Sequence, residues 1–121
     1  MKINELVNIV RQTGFETHVY FKSGFLEKVY ENALVHRLRK KGLSVNQQYA
    51  LQVSDEDGTI VGEYIADLLV NDQLIIELKA IKNIEEIHIA QLLAYLKSTN
   101  LKHGMLMNFG SSTFQVKKYI L

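Results

Sequence analysis

A chain of 121 residues, 47% apolar and 22% charged, is sized and composed for one globular domain that buries about two thirds of its unfolded surface without staples. A net charge of +1 does not announce a nucleic-acid-coating protein, and the lack of cysteine excludes disulfides and thiolate metal sites. Met1-Lys2-Ile3-Asn4-Glu5 holds no apolar signal core and no run approaches membrane-spanning length, so the expectation is a cytoplasmic protein with no membrane partner, residues 1–121 forming a single domain.

Residues 3–20 have loosely helical spacing through Leu6, Ile9 and Val10, with a break near Gly14. Ser23 is placed to cap a second helix that runs to about Lys41, and Gly42 to stop it. Leu26, Val29, Tyr30, Ala33, Leu34 and Leu38 line one face of that helix. Arg37, Arg39, Lys40 and Lys41 cluster at its end, where cations suit the helix dipole.

The period then changes to two. Residues 45–53 read as a strand, Asp55-Glu56-Asp57-Gly58 as turn chemistry and residues 60–70 as a second strand. Asn71-Asp72-Gln73 makes a tight turn into a third strand over residues 74–80. Asn83 with Glu86 resembles a capping box opening a helix over 84–98, and strands at 104–109 and 114–120 close the chain. The order α-α-β-β-β-α-β-β predicts an α/β (α+β) fold, a mixed central β-sheet flanked by helices.

Charges interrupt two of the apolar strands. Glu77 and Lys79 lie two residues apart in Leu74-Ile75-Ile76-Glu77-Leu78-Lys79-Ala80-Ile81, so they share one face of a strand otherwise built for burial. Asp67 interrupts Tyr64-Ile65-Ala66-Asp67-Leu68-Leu69-Val70 in the same way. Register decides whether the two carboxylates meet: a two-residue loop sets Asp67 against Ile76, whereas a three-residue loop at Asn71–Gln73, or one bulge, sets it across from Glu77. Converging carboxylates on a low-dielectric face repel, and a divalent cation such as Mg²⁺ or Mn²⁺ removes that conflict. Lys79 is then placed to orient a water or stabilise an anionic transition state. A plain strand ion pair, Glu77 or Asp67 with Lys79, is the competing structural reading.

Glu27 adds a third carboxylate at the flank of the apolar arc of its helix, where it either joins the site or reaches to water; Glu31 lies further round and is expected to be solvated. His88, Gln91 and Tyr95 form a polar stripe on the later helix, which either borders a site or faces solvent. No second His or Cys stands at ligand spacing from His88.

Gly24-Phe25-Leu26-Glu27-Lys28-Val29-Tyr30 spells G-x-x-E-x-x-Y, and from about His18 onward the chain resembles the bacterial GxxExxY proteins of the PD-(D/E)XK nuclease-like superfamily. Further blocks of the resemblance are Gly62-Glu63-Tyr64, Asp67-Leu68-Leu69-Val70, Ile76-Glu77-Leu78-Lys79-Ala80, Gln91-Leu92-Leu93-Ala94-Tyr95-Leu96 and Asn108-Phe109-Gly110. The resemblance implies a restriction-endonuclease-like core. In it Asp67 and Glu77 are metal ligands, Lys79 is the catalytic lysine and Glu27 is the helix-borne acid completing a Mg²⁺ or Mn²⁺ site. Gln91, Tyr95 and Tyr30 would be substrate-binding or site-supporting positions. Departures are Ala66 in place of the motif proline, Tyr20-Phe21-Lys22-Ser23 in place of a Leu-Gly-Pro-like turn, and Ile65 where relatives carry a basic residue.

What the resemblance implies is a metal-dependent nuclease that hydrolyses phosphodiester bonds of DNA, leaving 5′-phosphate and 3′-hydroxyl ends. The helix-borne Glu27 resembles that of junction-resolving members, which act as homodimers on branched DNA. The alternative is a nucleic-acid- or protein-binding module with a nuclease-like fold and little catalysis, favoured by the near-neutral charge.

Overall fold

A computed structural model describes residues 1–121. The chain runs α1 (Ile3–Phe21), α2 (Glu27–Lys40), β1 (Val45–Ser54), β2 (Ile60–Val70), β3 (Leu74–Lys79), α3 (Glu86–Ser98), β4 (His103–Asn108) and β5 (Gln115–Ile120), in the order expected from the sequence. The strands form one five-stranded sheet, β1-β2-β3-β4-β5. All neighbours are antiparallel except β3 and β4, which α3 joins as a parallel crossover.

Apolar layers cover both faces of the central strands. On one face Leu68, Val70, Leu74, Ile76, Leu78, Met105 and Met107 pack with Leu6 and Val10 of α1 and Tyr30, Leu34 and Leu38 of α2. On the other, Leu69, Ile75 and Leu106 meet Leu92 and Leu96 of α3. Strands covered on both sides bury consecutive residues, which is why Leu74 to Leu78 reads as an unbroken buried run.

Helix boundaries differ from the sequence reading for local reasons. Gly14 does not break α1; a Cβ there would come within 2.8 Å of Phe114 Cζ, so glycine serves a close approach to the far end of the chain. Ser23 does not cap α2, because Gly24 turns at φ +121 and the helix begins after Leu26. Gly42 does stop it: at φ +85 its N–H bonds Arg39 O at 3.0 Å, and the N–H of Leu43 bonds Leu38 O at 3.2 Å. In α3 the first turn is closed by His88, whose Nδ1 accepts the N–H of Glu85 at 3.0 Å, rather than by Asn83 and Glu86.

The β2–β3 hairpin positions the site. Val70↔Leu74, Leu69↔Ile75 and Leu68↔Ile76 pair, leaving a three-residue loop, Asn71-Asp72-Gln73. Asn71 and Asp72 turn at φ +51 and +56, and the N–H of Gln73 bonds Val70 O at 3.0 Å. Ser44 pins the loop from outside: its carbonyl accepts the N–H of Asn71 at 2.8 Å, and Asn71 Oδ1 accepts the N–H of Ser44 at 2.9 Å. Extended by one step, this register sets Asp67 opposite Glu77.

At Asp67 the sheet changes character. Ala66 belongs to the α3 layer and Leu68 to the α1–α2 layer, although a regular strand would put both on one face. On β1, Gln48 lies between the pairs Gln47↔Leu68 and Tyr49↔Ala66, has φ +55 and is itself unpaired.

Candidate active site

Where the β2–β3 ladder ends, side chains replace backbone partners. Asp67 Oδ2 accepts the N–H of Leu78 at 2.9 Å, and Glu77 Oε1 accepts the N–H of Asp67 at 3.4 Å as well as the hydroxyl of Tyr64. Each carboxylate thus satisfies an amide of the opposite strand that would otherwise lack a partner. Glu77 is only 8% exposed and Asp67 is half-buried. Burial pushes the Glu77 carboxyl up to about 8, and the negative charge of Asp67 adds to that rise. The Tyr64 hydroxyl is raised above its ordinary value by burial first and by Glu77 next. These bonds leave Asp67 Oδ1 and Glu77 Oε2 unused, and since no buried side-chain oxygen lacks a partner, both are open to solvent or a ligand.

Glu27 opens α2 and is half-buried. Burial raises its carboxyl; the charge of Asp67 raises it further and the ammonium of Lys79 opposes both. Glu27, Asp67 and Lys79 therefore lie within electrostatic reach of one another. Lys79 ends β3, half-buried. The ion pairs of the chain are Lys28–Glu31 and Lys41–Glu16, each at 3.0 Å, so the strand pairing of Lys79 with Glu77 or Asp67 does not form. The structure brings Asp67 and Glu77 together as a pair but assembles no group of three His, Asp or Glu side chains into a metal cage.

The segment after Lys79 is clamped from β4. Phe109 donates its N–H to Lys79 O at 2.9 Å. Asn108 accepts the N–H groups of Ile81 and Gly110, both at 3.0 Å, and donates to Ile81 O and Gln115 Oε1, both at 2.9 Å. A Cβ on Gly110 would fall 2.3 Å from Ile81 N, so only glycine allows this approach. Asn108-Phe109-Gly110 thereby sets where Lys79 leaves the sheet.

Of the remaining expected positions, Tyr95 stacks on Tyr64, and its hydroxyl is raised by burial and then by the charge of Glu77. Gln91 is exposed one turn earlier on α3 and makes no hydrogen bond to the carboxylates. Tyr30 is fully buried; its hydroxyl donates to Lys22 O at 2.5 Å and accepts the N–H of Phe25 at 3.1 Å, so it braces the loop before Glu27.

Two residues escaped the sequence reading. Tyr64 is the direct partner of Glu77, and its place in the Gly62-Glu63-Tyr64 block was the available signal. Glu31, expected in solvent, is 2% exposed. Its carboxylate takes Lys28, Gln47 and Gln48, the last at 3.0 Å, tying α2 to the distorted part of β1 opposite Asp67. Its spacing of four from Glu27 puts both acids on one stripe of α2, which would have found it.

Three helices and a five-stranded mixed sheet in this order match a restriction-endonuclease-like core. The PD-(D/E)XK nuclease superfamily matches residues 4–119, and the chain belongs to that superfamily. No curated protein matches the chain. No helix is long and apolar enough to cross a membrane.

Proposed function

We propose that this protein is a divalent-metal-dependent nuclease of the GxxExxY type, which hydrolyses phosphodiester bonds in DNA. The observation that carries this reading is the Asp67–Glu77 pair, two carboxylates held together by strand register with one oxygen of each left open. A cation-free pair is penalised by burial and mutual repulsion, and hard oxygen donors of this kind fit Mg²⁺ or Mn²⁺. Asp67 and Glu77 would hold the ion, with Glu27 completing the acidic site from α2. Bound there, the cation would supply the Lewis acidity that activates water and neutralises charge on the phosphate.

The chain's own groups do the rest. Tyr64 holds Glu77 by its Oε1, leaving Oε2 to the ligand. Lys79 is in neither ion pair of the chain, so its ammonium can orient the attacking water and stabilise negative charge building on the phosphate. Tyr95 buttresses Tyr64 by stacking, and Gln91, exposed on the same helix, borders the substrate path. Structured or branched DNA is the substrate form this reading favours, acted on by a homodimer in the cytoplasm.

Cleavage of plasmid, single-stranded and branched DNA, with and without Mg²⁺ or Mn²⁺, tests the reading on wild type, Asp67→Ala and Lys79→Ala. Wild type should cut only with metal, and each variant should lose at least about a hundredfold in rate, the scale for removing one preorganised charge-stabilising group. No cleavage of any substrate, together with no heat of metal binding by calorimetry, would leave a binding module with a nuclease-like fold. Undiminished cutting by Lys79→Ala would overturn the role of the lysine alone.

A further inference from the structure

The loop between α1 and α2 exposes apolar side chains that the proposed chemistry does not use. Phe25 is 49% exposed and Leu26 is 81% exposed, and both immediately precede Glu27. Their exposure is built in. Lys22 turns at φ +60 and Gly24 at φ +121, and the buried Tyr30 hydroxyl bonds both arms of the loop, accepting from Phe25 N–H and donating to Lys22 O. Phe25 is further braced edge-on by Phe21 and Tyr30, at centroid distances of 5.9 and 6.1 Å. The loop therefore cannot fold Leu26 back onto the core without breaking the bonds that hold it. The three named positions of G-x-x-E-x-x-Y divide the work: Gly24 makes the turn, Tyr30 clamps it and Glu27 lies within electrostatic reach of Asp67.

Resting on the nuclease reading, we infer that Phe25 and Leu26 form a wedge that packs against the face of an unpaired nucleobase, so that the enzyme selects DNA with an unpaired nucleotide beside the scissile phosphate. The surroundings suit a nucleic-acid strand. Exposed Lys22 flanks the wedge, and Arg37 lies over the rings of Tyr20 and Phe21 at 5.6 and 5.9 Å, giving cations for the neighbouring phosphates. A base inside a duplex hides its face in the stack; an unpaired base offers it, and apolar side chains accept it with little regard to sequence. The wedge thus discriminates by DNA form rather than by base identity.

The test reads binding and base environment apart from cleavage. A duplex carrying one unpaired 2-aminopurine and its fully paired counterpart are titrated with protein in Ca²⁺ and in EDTA, following anisotropy and 2-aminopurine fluorescence. Wild type should bind the unpaired duplex about tenfold or more tightly and change its fluorescence, the scale of one base-stacking contact. Leu26→Ser should abolish both differences while keeping the paired-duplex affinity, and Leu26→Met should retain them. The Leu26 side chain is exposed, so its thermal midpoint should stay at the wild-type value; Tyr30→Phe, which keeps the ring and loses the clamp, should weaken the preference in turn. Equal wild-type binding to both duplexes, or an undiminished preference in Leu26→Ser, overturns the wedge. So does sedimentation showing a wild-type dimer that Leu26→Ser dissociates with no change in DNA preference, which would make the patch a self-interface. Preference for the unpaired duplex without Mg²⁺-dependent cleavage would sustain the wedge and sink the nuclease reading; cleavage without preference would do the reverse.

Discussion

The two halves of the β2–β3 hairpin differ in what holds them together. From Leu68 to Ile76, around the Asn71–Gln73 loop, a regular ladder of apolar residues is covered on both faces. Beyond it, at Asp67 and at Glu77 to Lys79, the ladder stops and carboxylates bond the amides instead. The apolar half is built for stability and sets the register. The charged half inherits that register and accepts an electrostatic penalty, the kind of local conflict that marks functional sites.

Substitutions on either side should separate these roles. The largest effect is expected in activity: Asp67→Ala and Lys79→Ala should cut metal-dependent cleavage as stated above while leaving the far-ultraviolet circular dichroism unchanged. In the apolar half, Ile76→Ala removes a fully buried side chain and should cost about 2–5 kcal/mol, read by urea unfolding. A loss of stability in Asp67→Ala as large as that would erase the distinction between the two halves.

A subtler effect lies in pH. In the folded, metal-free chain Glu77 keeps its proton to about pH 8, whereas its ordinary value is 4.5. The folded state thus binds the extra proton between those values, and this stabilisation, fully present below 4.5, is lost as pH rises through 8. Metal-free wild type should therefore lose several degrees of thermal midpoint relative to Glu77→Gln between pH 5 and pH 9, and saturating Mg²⁺ should restore them. His103, held below its ordinary value by burial and by Lys118, titrates in the opposite sense, and comparison with the variant cancels it. A parallel pH dependence in the two proteins would show that Glu77 is not strained by burial.

The smallest change is Tyr64→Phe. The tyrosine hydroxyl restrains the rise of the Glu77 carboxyl, so removing it should move the acidic limb of the cleavage profile upward by about one pH unit or less. An unmoved limb would make Tyr64 a packing residue only.

Much of the fold was legible in the chain. Periodicity placed all eight elements because apolar spacing reports burial directly. The errors fell at helix starts, where Ser23 and Asn83 looked like caps but Gly24 and His88 made the actual geometry. Gly14 looked like a breaker because its reason for being small, Phe114, lies across the fold. At the site, Asp67, Glu77 and Lys79 were visible as charges in apolar runs. Tyr64 and Glu31 were marked only indirectly, by the Gly62-Glu63-Tyr64 block and by the spacing of four from Glu27, because the partners that bury them lie on other elements.

By itself, then, the sequence determined the order of elements, the two-sided burial of the central strands and the presence of charge within them. Those follow from local spacing and composition. Tertiary structure alone decided that Asn71–Gln73 would be a three-residue loop pinned by Ser44, that Asp67 would face Glu77, that Tyr64 would bond Glu77 and that Glu31 would be buried against Gln47 and Gln48. Such choices depend on register and on contacts between residues far apart in the chain, where a shift of one position would turn a pair of carboxylates to opposite faces.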